Sequence, residues 1–419
     1  MPENTPDGPV ENGHNTNGDL EDQNGAQYDR NPNSWSVRMA AIIQNFTLLW
    51  FTIPMNTGII SILIHQLPYQ FRGMGILSTI MFVFNIVLYA VCFFILMLRV
   101  ILYPKTVMQS VTTNITECCM MAAPIIAWHT ITAQVGLTAS QATWGAHAWF
   151  LVAYVFWWIG TFFTVVVAVA VFVIISKNNI ANIDSVTPAL VLPFVATATD
   201  AVVGALIVTY SHYVNARLAV PVILVSYMLT GIGIFAALMV YALFLTRLVN
   251  NGLPPAAQSP SLILLVGPVG QSSAALQGLG SAAASFFGTY GKGTFLQQMS
   301  GTVCSVIGVL LGLLLLGFAY FLMIFAACCL LHVAWKREHQ YSLMWWGTIF
   351  PIATVNTAMI ELSITLDSPA FRGLSAGFLI FLLIAYFINW AFTLRDVFQG
   401  KLLNGSRSEQ PASERVKAH

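Results

Sequence analysis

Long apolar runs alternate with short polar breaks along most of the chain, and ten of these runs can cross a bilayer as helices. A spanning helix needs about 20 mostly apolar residues. The runs fall at roughly 41–65, 73–101, 110–135, 147–175, 188–211, 218–245, 260–279, 302–333, 342–364 and 372–395. They are continuously apolar rather than alternating, which argues against a barrel of strands. The seventh is the weakest, because Gly267, Gly270, Gly278 and Gly280 interrupt it. The expected fold class is an all-α polytopic membrane protein with ten transmembrane helices arranged as five helical hairpins.

A second pattern sorts the ten. Each odd-numbered run has a proline well inside it: Pro54, Pro124, Pro193, Pro268 and Pro351, separated by 70, 69, 75 and 83 residues. The even runs have none in their interiors, since Pro221 falls in the first turn of the sixth, where proline is tolerated. Phe71-Arg72-Gly73 and Phe371-Arg372-Gly373 open the second and tenth runs, and each of those runs ends in Leu-Arg. Proline removes a backbone donor and clashes with the preceding turn, so it is expected to kink or open a helix. In hydrocarbon the freed carbonyl needs a partner.

Polar residues follow each proline: Asn56 and Thr57, His129 and Thr130, Thr197, Thr199 and Asp200, Gln271, Ser272 and Ser273, then Thr354, Asn356 and Thr357. Five kinked helices running the same way predict a common axis with polar groups near the midplane and the even helices outside. The expected pore lining is Pro54, Asn56, Thr57, Pro124, His129, Pro193, Thr197, Pro268, Gln271, Ser272, Pro351, Thr354 and Asn356. Any one proline or hydroxyl in a membrane helix can serve packing alone. The strict odd placement is what points to a shared architecture.

Composition agrees. Of 419 residues, 57% are hydrophobic and 8% charged, against about 25% charged in soluble domains. A net charge of +1 gives nucleic acid no purchase. Residues 1–40 are polar and acidic without the pattern of a secretory signal, and are expected to form a disordered cytoplasmic tail. Residues 41–397 form the transmembrane domain, and 398–419 a second disordered cytoplasmic tail. With the N-terminus in the cytoplasm, 13 of the 17 Lys and Arg fall on the cytoplasmic side and 4 opposite, as the positive-inside rule requires. The six cysteines lie in apolar runs with no disulfide or metal-ligand spacing, and nothing calls for a cofactor.

The first run, from Asn45-Phe46-Thr47 through Trp50-Phe51-Thr52-Ile53-Pro54-Met55-Asn56-Thr57-Gly58, resembles the opening of fungal sulfite efflux pumps. Gly267-Pro268-Val269-Gly270-Gln271 and Trp345-Trp346-Gly347 with Phe350-Pro351 are similar to the same family. Its superfamily includes bacterial tellurite-resistance proteins, yeast malic acid permeases and plant slow anion channels. The resemblance covers about 40–400. It implies five hairpins with pseudo-fivefold symmetry about a central pore, trimeric assembly, a plasma-membrane location, and sulfite or bisulfite as cargo. It also implies a pore-occluding phenylalanine at Phe350, with a second pore aromatic at Phe194.

No Lys or Arg lies at midspan, so anion selectivity is expected from hydroxyl, amide and backbone donors. The acids complicate this. Asp200 and Glu117 are candidates for proton coupling, because an ionisable group within a span is functional by default. For Asp200 a structural hydrogen bond is the competing reading. A malate permease is the nearest alternative function. An intramembrane enzyme built on Cys118, His129 and Asp200 is a more distant one.

Overall fold

The computed structural model describes residues 35–181, 186–211, 214–336 and 341–402. The two expected tails therefore lie outside the described residues over 1–34 and 403–419. Within the stretch expected to be a tail up to residue 40, a helix Trp35–Gln44 begins. The described residues from Ala41 onward form one compact unit.

Among the described residues, ten helical segments are long and apolar enough to cross a membrane: Leu48–Gln66, Met74–Leu102, Ile115–Gln141, Ala146–Asn178, Pro188–Tyr210, Ala216–Asn251, Gln258–Tyr290, Gln298–Trp335, Leu343–Thr365 and Pro369–Phe398. They divide cleanly by burial. The odd spans have 78–100% of their most apolar stretch buried, the even spans 17–33%. The exposed faces of the even spans carry large apolar side chains such as Val83, Phe162, Phe235, Leu314 and Ile384, as lipid contact demands.

The odd spans close a ring. The first packs on the third, the third on the fifth, the fifth on the seventh, the seventh on the ninth, and the ninth back on the first. Each even span lies against its own odd partner and the next odd span, and the tenth lies against the ninth and first. Five hairpins thus follow one another around a closed inner ring, with their second helices in the outer grooves.

The prolines act differently from the expected kink. Every odd span contains a 3₁₀ turn that hands over to an α-helix: Leu48–Phe51 to Thr52–Gln66, Met120–Ala122 to Ala123–Leu137, Pro188–Val191 to Leu192–Tyr210, Ala256–Leu265 to Val266–Tyr290, and Leu343–Thr348 to Ile349–Thr365. The proline is the second or third residue of each α segment. The first N–H groups of an α-helix lack an α-helical partner, so proline there forfeits little. It marks the start of a helix rather than a bend within one. Five parallel α-helices therefore begin inside the apolar layer, each with the positive end of its dipole facing the same way.

Pro221 is also a correction. The sixth span begins at Ala216, so Pro221 lies inside the helix instead of in its first turn. The seventh span runs to Tyr290, beyond the expected 279, and Gly291 ends it in the left-handed region at φ 56°. The glycines that weakened its hydropathy pack it instead. A Cβ on Gly280 would lie 2.7 Å from the Cys304 carbonyl oxygen of the eighth span. Small residues allow such backbone approach between membrane helices.

One buried ion pair ties the inner and outer rings together at the N-terminal end of the odd spans. Arg99, ending the second span, donates from Nη1 to Glu117 Oε1 at 3.2 Å. The same oxygen accepts the backbone N–H of Leu48 at 3.1 Å. Arg99 also reaches the Gln44 carbonyl and the Ser110 hydroxyl, each at 3.2 Å. Asn114 caps the helix that carries Glu117, accepting from Thr116 N and Glu117 N. Glu117, a candidate for proton coupling, is thus engaged at a structural junction.

Candidate functional site

A cavity inside the ring is lined by residues from all five odd spans. Ile59 and Ile62 come from the first, Thr130 from the third, Thr199, Val202, Val203 and Leu206 from the fifth, Gln271 from the seventh and Thr357 from the ninth. It has room for about one water molecule. Thr130, Thr199 and Thr357 occupy one register, each six residues after its span's proline (130 − 124, 199 − 193, 357 − 351). Their hydroxyls donate to backbone carbonyls of the preceding turn: Ala127 at 2.8 Å, Val195 at 2.7 Å and Ala353 at 3.1 Å. Rotation about the Cβ–Oγ1 bond can turn each donor toward the cavity.

Neighbouring polar groups are left without partners. Gln271 Oε1, Ser272 Oγ, and both Oδ1 and Nδ2 of Asn356 are buried without a hydrogen bond. Such atoms are costly to bury, so their place beside the cavity wall fits a path used by water or a polar solute. The five odd spans contain no Lys or Arg. The path offers neutral donors and helix-dipole ends, with no fixed cation.

The profile of the voltage-dependent anion channel family, SLAC1, matches residues 45–394. The chain belongs to this family. It is similar to the sulfite efflux pump SSU1 of Arthroderma benhamiae, 26% identical over 84% of this chain and 91% of that protein. The SSU1 pump of Trichophyton rubrum is 25% identical over the same shares. The malic acid transport protein of Schizosaccharomyces pombe is 23% identical over 89% of this chain and 84% of its own length. Family and relatives point to anion transport, by a transporter or channel and not by an enzyme.

Within this family member, Phe350 is buried at 1% exposure. It shares the α-helix Ile349–Thr365 with Thr357. Seven residues separate them, nearly two whole turns, so Phe350 lies on the face that meets the cavity, about 10 Å nearer the helix start. The ring of Phe194 stacks on Phe172 of the fourth span, with centroids 5.2 Å apart.

Of the expected lining residues, Gln271 reaches the cavity itself. Several others join one helix to the next. Asn56 Nδ2 donates to the Trp346 carbonyl at 2.6 Å, closing the ring between first and ninth spans. The Thr57 hydroxyl meets Tyr386 Oη of the tenth span at 2.9 Å. His129 Nε2 meets Thr164 Oγ1 of the fourth span at 2.8 Å. Thr197 donates to the Phe194 carbonyl and faces Gly233 of the sixth span. Thr354 donates to the Pro351 carbonyl at 2.6 Å and fills the space beside Gly270. The prolines start the α segments, as described above.

The cavity residues Ile59, Ile62, Val202, Val203 and Leu206 carry no polar signal by which a sequence could single them out. Thr130, Thr199 and Thr357 did carry one, being among the polar residues behind the prolines. Thr130 is held in place by Asn85 of the second span, whose Nδ2 donates to its hydroxyl at 3.1 Å. Gly58 leaves the room for this contact, since a Cβ there would collide with Thr130 Oγ1.

The imagined catalytic trio does not assemble. Cys118 contacts the Val171 carbonyl at 4.0 Å, at the fourth span's far end from Thr161, which bonds Asp200. His129 and Asp200 do come together, with Nδ1 3.6 Å from Oδ1.

Proposed function

We propose that this protein exports sulfite or bisulfite from the cytoplasm, through the axis of its inner ring and across the plasma membrane, with Phe350 as the constriction. The observation that carries the reading is the cavity to which all five odd spans contribute. Its chemistry suits a small anion in transit. Neutral donors and helix N-terminal dipoles attract negative charge without holding it as a fixed cation would. An apolar ring on the same helix face can close the path by bulk and dewetting. The repeated order of hairpins supports an approximate fivefold arrangement, and the basic residues support cytoplasmic termini. Trimeric assembly belongs to the same proposal and is checked by the mass of the purified protein in detergent.

The resemblance to a malic acid transport protein gives dicarboxylate transport as a second reading. A divalent organic acid favours a cationic partner, and the odd spans have none. Purified protein in liposomes, loaded in parallel with labelled sulfite or labelled malate, separates the two. Sulfite release well above that of empty liposomes, with little malate release, is the expected result. Malate release exceeding sulfite release would overturn the sulfite reading.

A further inference from the structure

The His129–Asp200 pair is a second buried ionisable cluster, apart from the Arg99–Glu117 junction, that the anion path does not use. It lies between the third, fourth and fifth spans, and both side chains are wholly buried. His129 Nδ1 is 3.6 Å from Asp200 Oδ1. Thr161 Oγ1 donates to Asp200 Oδ1 at 3.2 Å, and His129 Nε2 meets Thr164 Oγ1 at 2.8 Å. His129 Nδ1 and Asp200 Oδ2 have no hydrogen-bond partner. A Cβ on Gly160 would lie 2.5 Å from His129 Cε1, so glycine makes space for the ring. The pair also stands directly behind the cavity wall: His129 precedes Thr130, and Asp200 follows Thr199.

Among the described residues, no Lys or Arg forms an ion pair with this pair. The fourth span presents Trp157, Gly160, Thr161 and Thr164 to it, with Lys177 about 20 Å further along that helix. On the third span, Cys118, Cys119 and Glu117 lie a dozen or so residues earlier, and Glu117 is paired with Arg99 of the second. The second span otherwise offers Asn85, Tyr89 and Cys92. The sixth span brings Ser226 near Gly204, with Tyr227 next to it in sequence, while its Arg217 and Arg247 sit toward its ends. The first span holds only His65, at its far end, and the seventh has no charged residue.

We propose that His129 and Asp200 together form a proton-binding site whose occupancy is coupled to that of the anion in the cavity. The inference rests on the anion-transport reading and adds a second ligand, the proton. With a neutral imidazole and an ionised carboxylate the pair carries one net negative charge in a dry environment. One proton delivered by hydronium makes it neutral: an O–H bond of the hydronium breaks, leaving water, and an O–H bond on the carboxylate or an N–H bond at Nδ1 forms. An anion in the adjacent cavity is repelled by the charged pair and accepted by the neutral one. Linkage is reciprocal, so the anion draws a proton onto the pair to the same extent that the proton draws in the anion. A unit charge at this range changes anion occupancy by on the order of tenfold at a protein-like effective dielectric.

The test is bisulfite flux in proteoliposomes between about pH 5 and pH 8, with total sulfite adjusted so that the bisulfite concentration stays constant. Wild-type flux is expected to fall on the order of tenfold as pH rises. Asp200→Asn flattens the profile, and Asp200→Glu, which keeps a titrating group, retains the slope. A flat wild-type profile overturns the inference, as does a wild-type slope in Asp200→Asn. Absence of flux from wild-type protein at every pH would instead defeat the anion-transport reading. If Asp200→Asn does not accumulate, Thr161→Val must move the midpoint of the profile, and an unmoved midpoint also overturns the inference.

Discussion

The inner and outer rings are built from helices of opposite design, the inner spans with mean hydropathies of 1.2–2.0 and the outer spans with 2.0–2.7. The outer helices are continuous α-helices of 29 to 38 residues with bulky apolar side chains facing outward. The inner spans each change from 3₁₀ to α, hold nearly all of the post-proline polar residues, and are buried on every side. Burial on all sides lets the inner ring carry hydroxyls, amides and an acid–imidazole pair, because each can be served by a neighbouring helix. The outer ring supplies much of that service. Tyr386 meets Thr57, Thr164 meets His129, and Asn85 meets Thr130. Lipid solvates one ring, and the other ring is solvated by protein.

The difference can be broken in graded steps. The largest loss is expected where one charge of a buried pair is removed. Arg99→Ala removes the guanidinium that faces Glu117 and should cost about 3–5 kcal/mol, read as loss of folded protein in a detergent thermal-stability assay. Unchanged stability would mean that the junction of Leu48, Arg99 and Glu117 does not secure the ring. Next comes overpacking. Gly58→Val drives a branched side chain into Thr130 and Asn85 and should cost about 1–3 kcal/mol; a wild-type melting temperature would refute the close approach of the first and third spans.

A smaller effect attends single inner-to-outer hydrogen bonds. Tyr386→Phe removes the partner of Thr57 and is expected to cost about 1 kcal/mol, and a double-mutant cycle with Thr57→Val should return most of that as coupling. Independent, additive losses would count against the bond. Smallest of all is a change on the lipid face. Phe235, 69% exposed on the sixth span, should tolerate Ala within about 0.5 kcal/mol, and a large loss there would show that this face is covered.

Much of this architecture was legible in the residues. Run length gave the ten spans, and the odd placement of Pro54, Pro124, Pro193, Pro268 and Pro351 separated inner from outer helices before any contact was known. The prolines begin α segments instead of bending them. A proline reads alike in sequence whether it bends a helix or begins one, and only the backbone shows the 3₁₀ turn before it. The seventh span was cut short because glycine lowers hydropathy, although Gly280 is there for close contact with the eighth span.

The site was less legible, for a geometric reason. Polar residues behind a proline can face the axis, a ring neighbour or the outer helix, and helical phase decides which. Gln271 lines the cavity, while Asn56, Thr57 and His129 hydrogen-bond to other helices. The proximity of His129 to Asp200 spans 71 residues of sequence (200 − 129), and no local pattern marks it.

The central claim is that the anion moves along the inner-ring axis past Phe350. Sulfite efflux from proteoliposomes containing equal amounts of wild-type protein, Phe350→Ala or Phe235→Ala tests it most directly. Flux should rise severalfold in Phe350→Ala and stay at the wild-type level in Phe235→Ala. Well-folded Phe350→Ala protein with wild-type flux would contradict the account.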